Sequence, residues 1–226
     1  MSNASCAPMP SVLHEDNHLL VVNKPAGMLT QSDRSGEESL LDLCREYIRM
    51  KYEKKGNVFL GMVHRLDRPV CGVVVFARTS KAASRLSAQF RSGEADKRYH
   101  AVLDGRLEGT GDLVHYLVRR GTVTRALAEP EPGARESRLR YAVLAAERTA
   151  TLVDIILLTG RKHQIRAQLS SIGHPVLGDR KYGSSFSLGA DCIALMCRSL
   201  TLKHPTREET LTFTAEEPDW WPWPME

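Results

Sequence analysis

The chain has 226 residues, 42% of them hydrophobic and 26% charged, with a net charge of +4 and an isoelectric point near 8.8, the profile of a soluble globular protein with one good core. No apolar run approaches the roughly 18 residues that span a bilayer, and the opening MSNASCAPMP lacks the basic start and apolar middle of a signal peptide, so no membrane partner and a cytoplasmic location are expected. Cys6, Cys44, Cys71, Cys192 and Cys197 are odd in number and form no CxxC pair, which argues against a disulfide framework or a zinc cage and for reduced thiols packed as small hydrophobes.

In chain order, His18 to Asn23 is a short apolar run ended by Lys24-Pro25-Ala26-Gly27, a strand feeding a turn. From Ser39, a plausible N-cap, Leu40, Leu41, Cys44, Tyr47 and Ile48 follow helical spacing. Gly72 to Ala77 has the β-branched richness of a buried strand, and Thr79 or Ser80 then caps a helix with Ala82, Ala83, Leu86 and Phe90 on its inner face. Strands are expected at Tyr99 to Leu103, Leu113 to Val118, Leu139 to Leu144 and Thr151 to Leu158. After Thr159-Gly160, Ile165, Leu169 and Ile172 mark a helix that Gly173 ends in the left-handed conformation, and two more strands fall around Ile193 to Met196 and Leu211 to Phe213. Grouped strands with few alternating helices predict an α+β fold with a mainly antiparallel sheet. The Trp-rich PDWWPWP at the end suits the cover of an apolar patch, with base stacking as the other use of such rings.

Charge is unevenly spread. Arg161, Lys162, Arg166, Arg180 and Lys181 stand against the single acid Asp179, whereas the tail after Lys203 is mostly acidic. Such a cluster suits a polyanion, although a solvated face carries the same composition.

His64 to Gly72 (HRLDRPVCG) lies on the connection before the buried strand, where a scaffold aims polar groups into a cleft. Asp67 between Arg65 and Arg68 would have its ionised form favoured, the state a nucleophile or base requires; a loop salt bridge is the alternative. Lys97-Arg98-Tyr99 sets a cationic pair beside an aromatic, suited to holding a phosphate and stacking on a base. Thr159 to Arg166 (TGRKHQIR) opens a helix with concentrated donors for an anion, and Gly173 to Asp179 forms a Gly-punctuated turn.

Taken together, NKPAG at 23–27, HRLDRPVCG at 64–72, KRYHAVLDG at 97–105 and LLTGRKHQIRAQLSSIGHPVLGDRKYG at 157–183 resemble the RluA-type family of RNA pseudouridine synthases, in order and spacing, over nearly the whole chain. The resemblance implies a mixed, mostly antiparallel sheet with an RNA cleft across its middle and neither metal nor organic cofactor. It implies that Asp67 is the catalytic carboxylate, that Arg166 pairs with it, and that Tyr99 stacks on the extruded uracil and assists proton transfer at C5. Arg65 would occupy the space the flipped base vacates. Leu177 is an apolar wall beneath the uracil or a plain core leucine, and Lys97 and Arg161 would bind substrate. Cys71 and Gln168 depart from the family's common Ser or Thr and His. Pairings of His64 with Asp67 or His163 with His174 do not reproduce a metal-ligand spacing.

Residues 1–17 are expected to be an extension and 18–226 a catalytic domain of two lobes, without a separate N-terminal RNA-binding domain. The expected partner is structured RNA, a tRNA or rRNA stem-loop, met by a monomer. Two rivals are an RNA-binding module that has lost catalysis and a hydrolase of N-glycosidic bonds using Asp67.

Overall fold

The computed structural model describes residues 9–34, 36–189 and 191–225; Cys6 lies outside them. The described residues form three helices and one eleven-stranded sheet. The strands are β1 (Ser11–Glu15), β2 (Leu19–Lys24), β3 (Gly61–Met62), β4 (Cys71–Ala77), β5 (Asp96–Asp104), β6 (Thr110–Arg120), β7 (Val123–Leu127), β8 (Arg135–Ala146), β9 (Ala150–Leu157), β10 (Leu195–Lys203) and β11 (Thr210–Thr214). Their order across the sheet is β1-β2-β4-β10-β5-β9-β8-β6-β7, with β3 beside β4 and β11 beside β10. Every pair is antiparallel except β4 with β10. This is the α+β architecture expected from grouped strands.

The helices start where their caps stand. Ser39 accepts from the Asp42 N–H at the head of α1 (Leu40–Lys51), and Thr79 from the Ala82 N–H at the head of α2 (Ser80–Ser92). α2 buries Ala82 and Leu86 as its spacing requires, together with Gln89, whose amide exchanges two hydrogen bonds with the Lys203 backbone. α3 (Gln164–Ser171) ends at Gly173, which adopts the expected left-handed conformation at φ 84°. Gln168 is fully buried on this helix and donates to the Leu113 and Ser137 carbonyls, tying α3 to β6 and β8.

The main core runs along β2, β4, β5, β9 and β10, where β4 is buried at every residue. A smaller cluster of Leu117, Ala167 and Tyr182 joins α3 to β6 and β7. Cys44, Cys71 and Cys197 are buried thiols. Trp221 is buried and Trp223 packs on the main core, so the tail does cover apolar surface, while Trp220 stays more open.

Candidate active site

The connection from β3 to β4 carries Asp67, and the chain re-enters the sheet at β4 beside β10, which pairs in turn with β5. The segment is held from both sides. Thr30 Oγ1 donates to the Leu66 carbonyl at 2.8 Å, and the Lys24 ammonium donates to the Arg68 carbonyl at 3.0 Å. Gly27 N–H also donates to the Arg68 carbonyl, and Arg68 Nε returns a bond to the Gly27 carbonyl. The NKPAG turn is thus the splint of the Asp67 loop.

Asp67 is partly exposed, with 18% of its side chain open to solvent, on the floor of a cleft of about 370 Å³. The cleft wall includes Arg65, Lys97, Tyr99, Arg161, His163 and Arg166. Arg166 Nη1 donates to Asp67 Oδ2 at 3.3 Å, while Arg166 Nε and Nη2 form a fork on Asp179 at 2.5 and 2.9 Å. Burial works against the guanidinium charge, but the Asp179 fork and the Asp67 carboxylate outweigh it and hold the Arg166 pKa above its ordinary value. The Tyr182 ring lies 4.9 Å from the guanidinium carbon, a further cation-π contact.

His163 Nε2 reaches Asp67 Oδ2 at 3.5 Å. Burial pushes the imidazole pKa down to about 4, so the ring meets the carboxylate as a neutral group at pH 7. The Thr124 N–H donates to the Tyr182 hydroxyl, which is 2.8 Å from His163 Nδ1. With the Tyr182 hydroxyl donating its hydrogen bond to Nδ1, the neutral ring carries its own proton on Nε2, facing Asp67. His64 is a neutral support: burial brings it to about 3, its Nε2 accepts from the Val75 N–H, and its ring stacks on Phe90.

Tyr99 lines the cleft from β5, and burial raises its pKa well above the usual phenol value, leaving it protonated. Lys97 lines the same wall two residues earlier. Arg65, Arg161 and Lys162 are exposed around the rim.

Several expectations need revision. Arg68 does not flank Asp67 electrostatically, since its guanidinium reaches Glu37 and Asp191; the cation bonded to Asp67 is Arg166, 99 residues away in sequence, the pair the resemblance implied. Lys97 and Arg98 do not act as a pair, because alternate residues of a strand face opposite ways; Arg98 is exposed beside Asp96 and Asp154. Leu177 is absent from the cleft wall and is a core residue at 1% exposure, because its N–H is tied to the Val102 carbonyl and turns the side chain inward. The apolar wall comes instead from Val63, Leu66, Val70 and Leu195. The Arg161 N–H is committed to Gln164 Oε1, so the donors of that turn are chiefly its side chains. His163 and His174 are engaged separately, the latter with the Asp104 carbonyl. Burial raises the Cys71 thiol to about 11, too high for a thiolate nucleophile.

Asp179 and His163 are the two groups around Arg166 and Asp67 to which the sequence assigned no role there. The GHPxxGD turn and the HQIR segment held them in view, but only folding puts both on Arg166 and Asp67.

The family model described as RNA pseudouridylate synthase matches residues 18–171. The chain is 34% identical over 218 residues to the ribosomal large subunit pseudouridine synthase D of Zymomonas mobilis, covering 92% of this chain and 69% of that one. It is 31% identical to the dual-specificity RNA pseudouridine synthase RluA of Haemophilus influenzae, covering 95% and 96% of the two chains. The solved structure of human RNA pseudouridylate synthase domain containing 4 shares the fold at a TM-score of 0.78 and 24% identity, over 93% of this chain and 90% of that one. With its motifs, its sheet and these likenesses in agreement, the chain belongs to the RNA pseudouridylate synthase family of isomerases, among the RluA-type members.

Proposed function

We propose that the protein converts a flipped-out uridine of structured RNA, a tRNA or rRNA stem-loop, to pseudouridine, with Asp67 as the catalytic carboxylate. The observation that carries this reading is the carboxylate of Asp67 at the floor of the cleft, bonded to a buried guanidinium and facing a wall that includes Tyr99. Relatives of similar length support the substrate class: the chain spans 96% of the dual-specificity enzyme and 92% of the tRNA pseudouridine synthase C of Pasteurella multocida.

In this reaction the bond from N1 to C1′ breaks with its electron pair staying on the uracil, C5 then bonds to C1′, and the proton leaving C5 is balanced by one gained at N1. Asp67 either bonds to the nucleotide or removes a ribose proton, and both routes use the ionised acid. Arg166 pairs with that acid and keeps it aimed. Tyr99 enters protonated, so it stacks on the base and handles the C5 proton as a relay, accepting one proton as it passes on its own. Arg65, exposed at the rim, fills the gap left in the RNA by the extruded base.

Tritium release from C5-labelled uridine in transcripts of tRNA and large-subunit rRNA tests the reading. Release by the wild type, and none by Asp67→Asn with RNA affinity retained, is expected. Equal release by both proteins would sink the assignment, and free uracil with an abasic site would identify a hydrolase.

A further inference from the structure

Lys97 is the cleft's one deeply buried ammonium among the described residues, at 8% exposure. Among those residues its nitrogen has neither an ion-pair nor a hydrogen-bond partner. Its neighbours do not answer its charge. Cys197 is a thiol held neutral by burial, which pushes it up to about 12, His64 is neutral, and Asp96 is exposed beside Arg98. A desolvated, unpaired ammonium is unfavourable in a folded protein, and burial accordingly lowers its pKa. A structural lysine would be exposed or paired; one kept in this condition on a cleft wall points to negative charge that arrives with the substrate.

Depth decides which charge that is. Backbone phosphates of a folded RNA would meet the exposed rim, where Arg161 and Lys162 stand. Lys97 is buried where they are exposed, on the same face of β5 as Tyr99, in a cleft whose lining also includes Val63 and Leu195. The group that reaches this depth is the extruded base. Resting on the function proposed above, we infer that Lys97 is a catalytic residue whose ammonium stabilises the uracil anion formed when the N1–C1′ bond breaks. The electron pair of that bond passes to N1 and is shared with O2 and O4. The ammonium offsets the charge without giving up its proton; the charge disappears when C5 bonds to C1′, and the proton that then leaves C5 is balanced by one gained at N1. Bound uridine is neutral, so the interaction strengthens only as the bond opens and accelerates the step rather than tightening binding.

Lys97→Met and Lys97→Arg test this under single turnover with enzyme in excess over a tRNA or rRNA transcript that the wild type modifies. Lys97→Met removes the charge and keeps the packing; a loss of about 100-fold in rate is expected, with RNA affinity within about threefold and a thermal midpoint equal to or above wild type. Lys97→Arg should recover at least about tenfold of that loss. If it fails to fold well, the Met variant's rate and midpoint alone decide. A rate for Lys97→Met within about threefold of wild type would overturn the proposal, as would a loss confined to RNA affinity, the mark of a phosphate contact. A lowered midpoint with a proportionate loss of active protein would make Lys97 structural. Asp67→Asn assayed in parallel separates the two ideas: if it remains active, the function proposed above fails, whereas an inactive Asp67→Asn beside a fully active Lys97→Met sinks only the role of Lys97.

Discussion

Two carboxylates share Arg166, and their burial separates stability from chemistry. Asp179 is 1% exposed and holds the guanidinium by a two-bond fork, whereas Asp67 makes one longer contact from a partly open position. Removing the Asp179 charge leaves a buried cation with half its anchorage, a change that costs about 3–5 kcal/mol in comparable buried pairs. Removing the Asp67 charge leaves the fork intact. Asp179→Asn is therefore expected to lower the urea midpoint by the equivalent of several kcal/mol, while Asp67→Asn changes stability by less than about 1 kcal/mol and is the variant that loses activity outright. Equal urea midpoints for the two variants would show that the fork does not anchor Arg166. Composition drew attention to Asp67, an acid set among arginines before a buried strand, but left a loop salt bridge open, and it was the resemblance of the surrounding motifs that implied a catalytic role. The resemblance pointed to Arg166 as its partner, whereas local composition pointed to Arg68, which is drawn instead to Glu37 and Asp191.

At the scale of elements, strong local signals were legible and weak ones were not. α1 and α2 begin at the caps foreseen, and β2 and β4 are apolar enough to be recognised without a partner. β1, β3 and β7 escaped notice. β3 has two residues, and β1 and β7 are five-residue strands at the sheet's two ends, whose alternation is blurred by intermediate burial and whose pairing is set by neighbours. The parallel contact between β4 and β10 is a matter of long-range topology, yet the sequence carries its requirement at Gly72. That residue has φ 109°, and a Cβ there would lie 2.3 Å from the Cys197 carbonyl oxygen, an approach only glycine permits. Gly72→Ala is expected to part the seam, destabilise the protein by roughly 3 kcal/mol or more, and loosen the Asp67 loop five residues upstream. A urea midpoint like that of wild type would show that the seam absorbs the methyl group and that glycine is not required there.

For the whole molecule, the small net charge of +4 conceals a division of labour that only the folded chain displays. Arg166 separates the cleft from a neighbouring hollow lined by Arg180 and Lys181, so the cations clustered in sequence between 161 and 181 edge two adjoining concavities. On the function proposed above, Arg166, the buried cation of that set, serves the reacting nucleotide, and the four exposed ones face the RNA backbone. Phosphate contacts release counterions, so they set the salt dependence of affinity, whereas groups deep in the cleft contribute little to it. Replacing Arg161 and Lys162 together by Ala should weaken RNA binding and reduce the slope of log K against log salt by roughly 1 to 2 in magnitude, with the rate at saturating enzyme nearly unchanged. Asp67→Asn and Lys97→Met should leave that slope alone. Filter binding across a salt series, paired with single-turnover rates, gives both quantities; an unaltered slope in the double variant would mean that the RNA does not cross this rim, and that its path over the protein runs elsewhere.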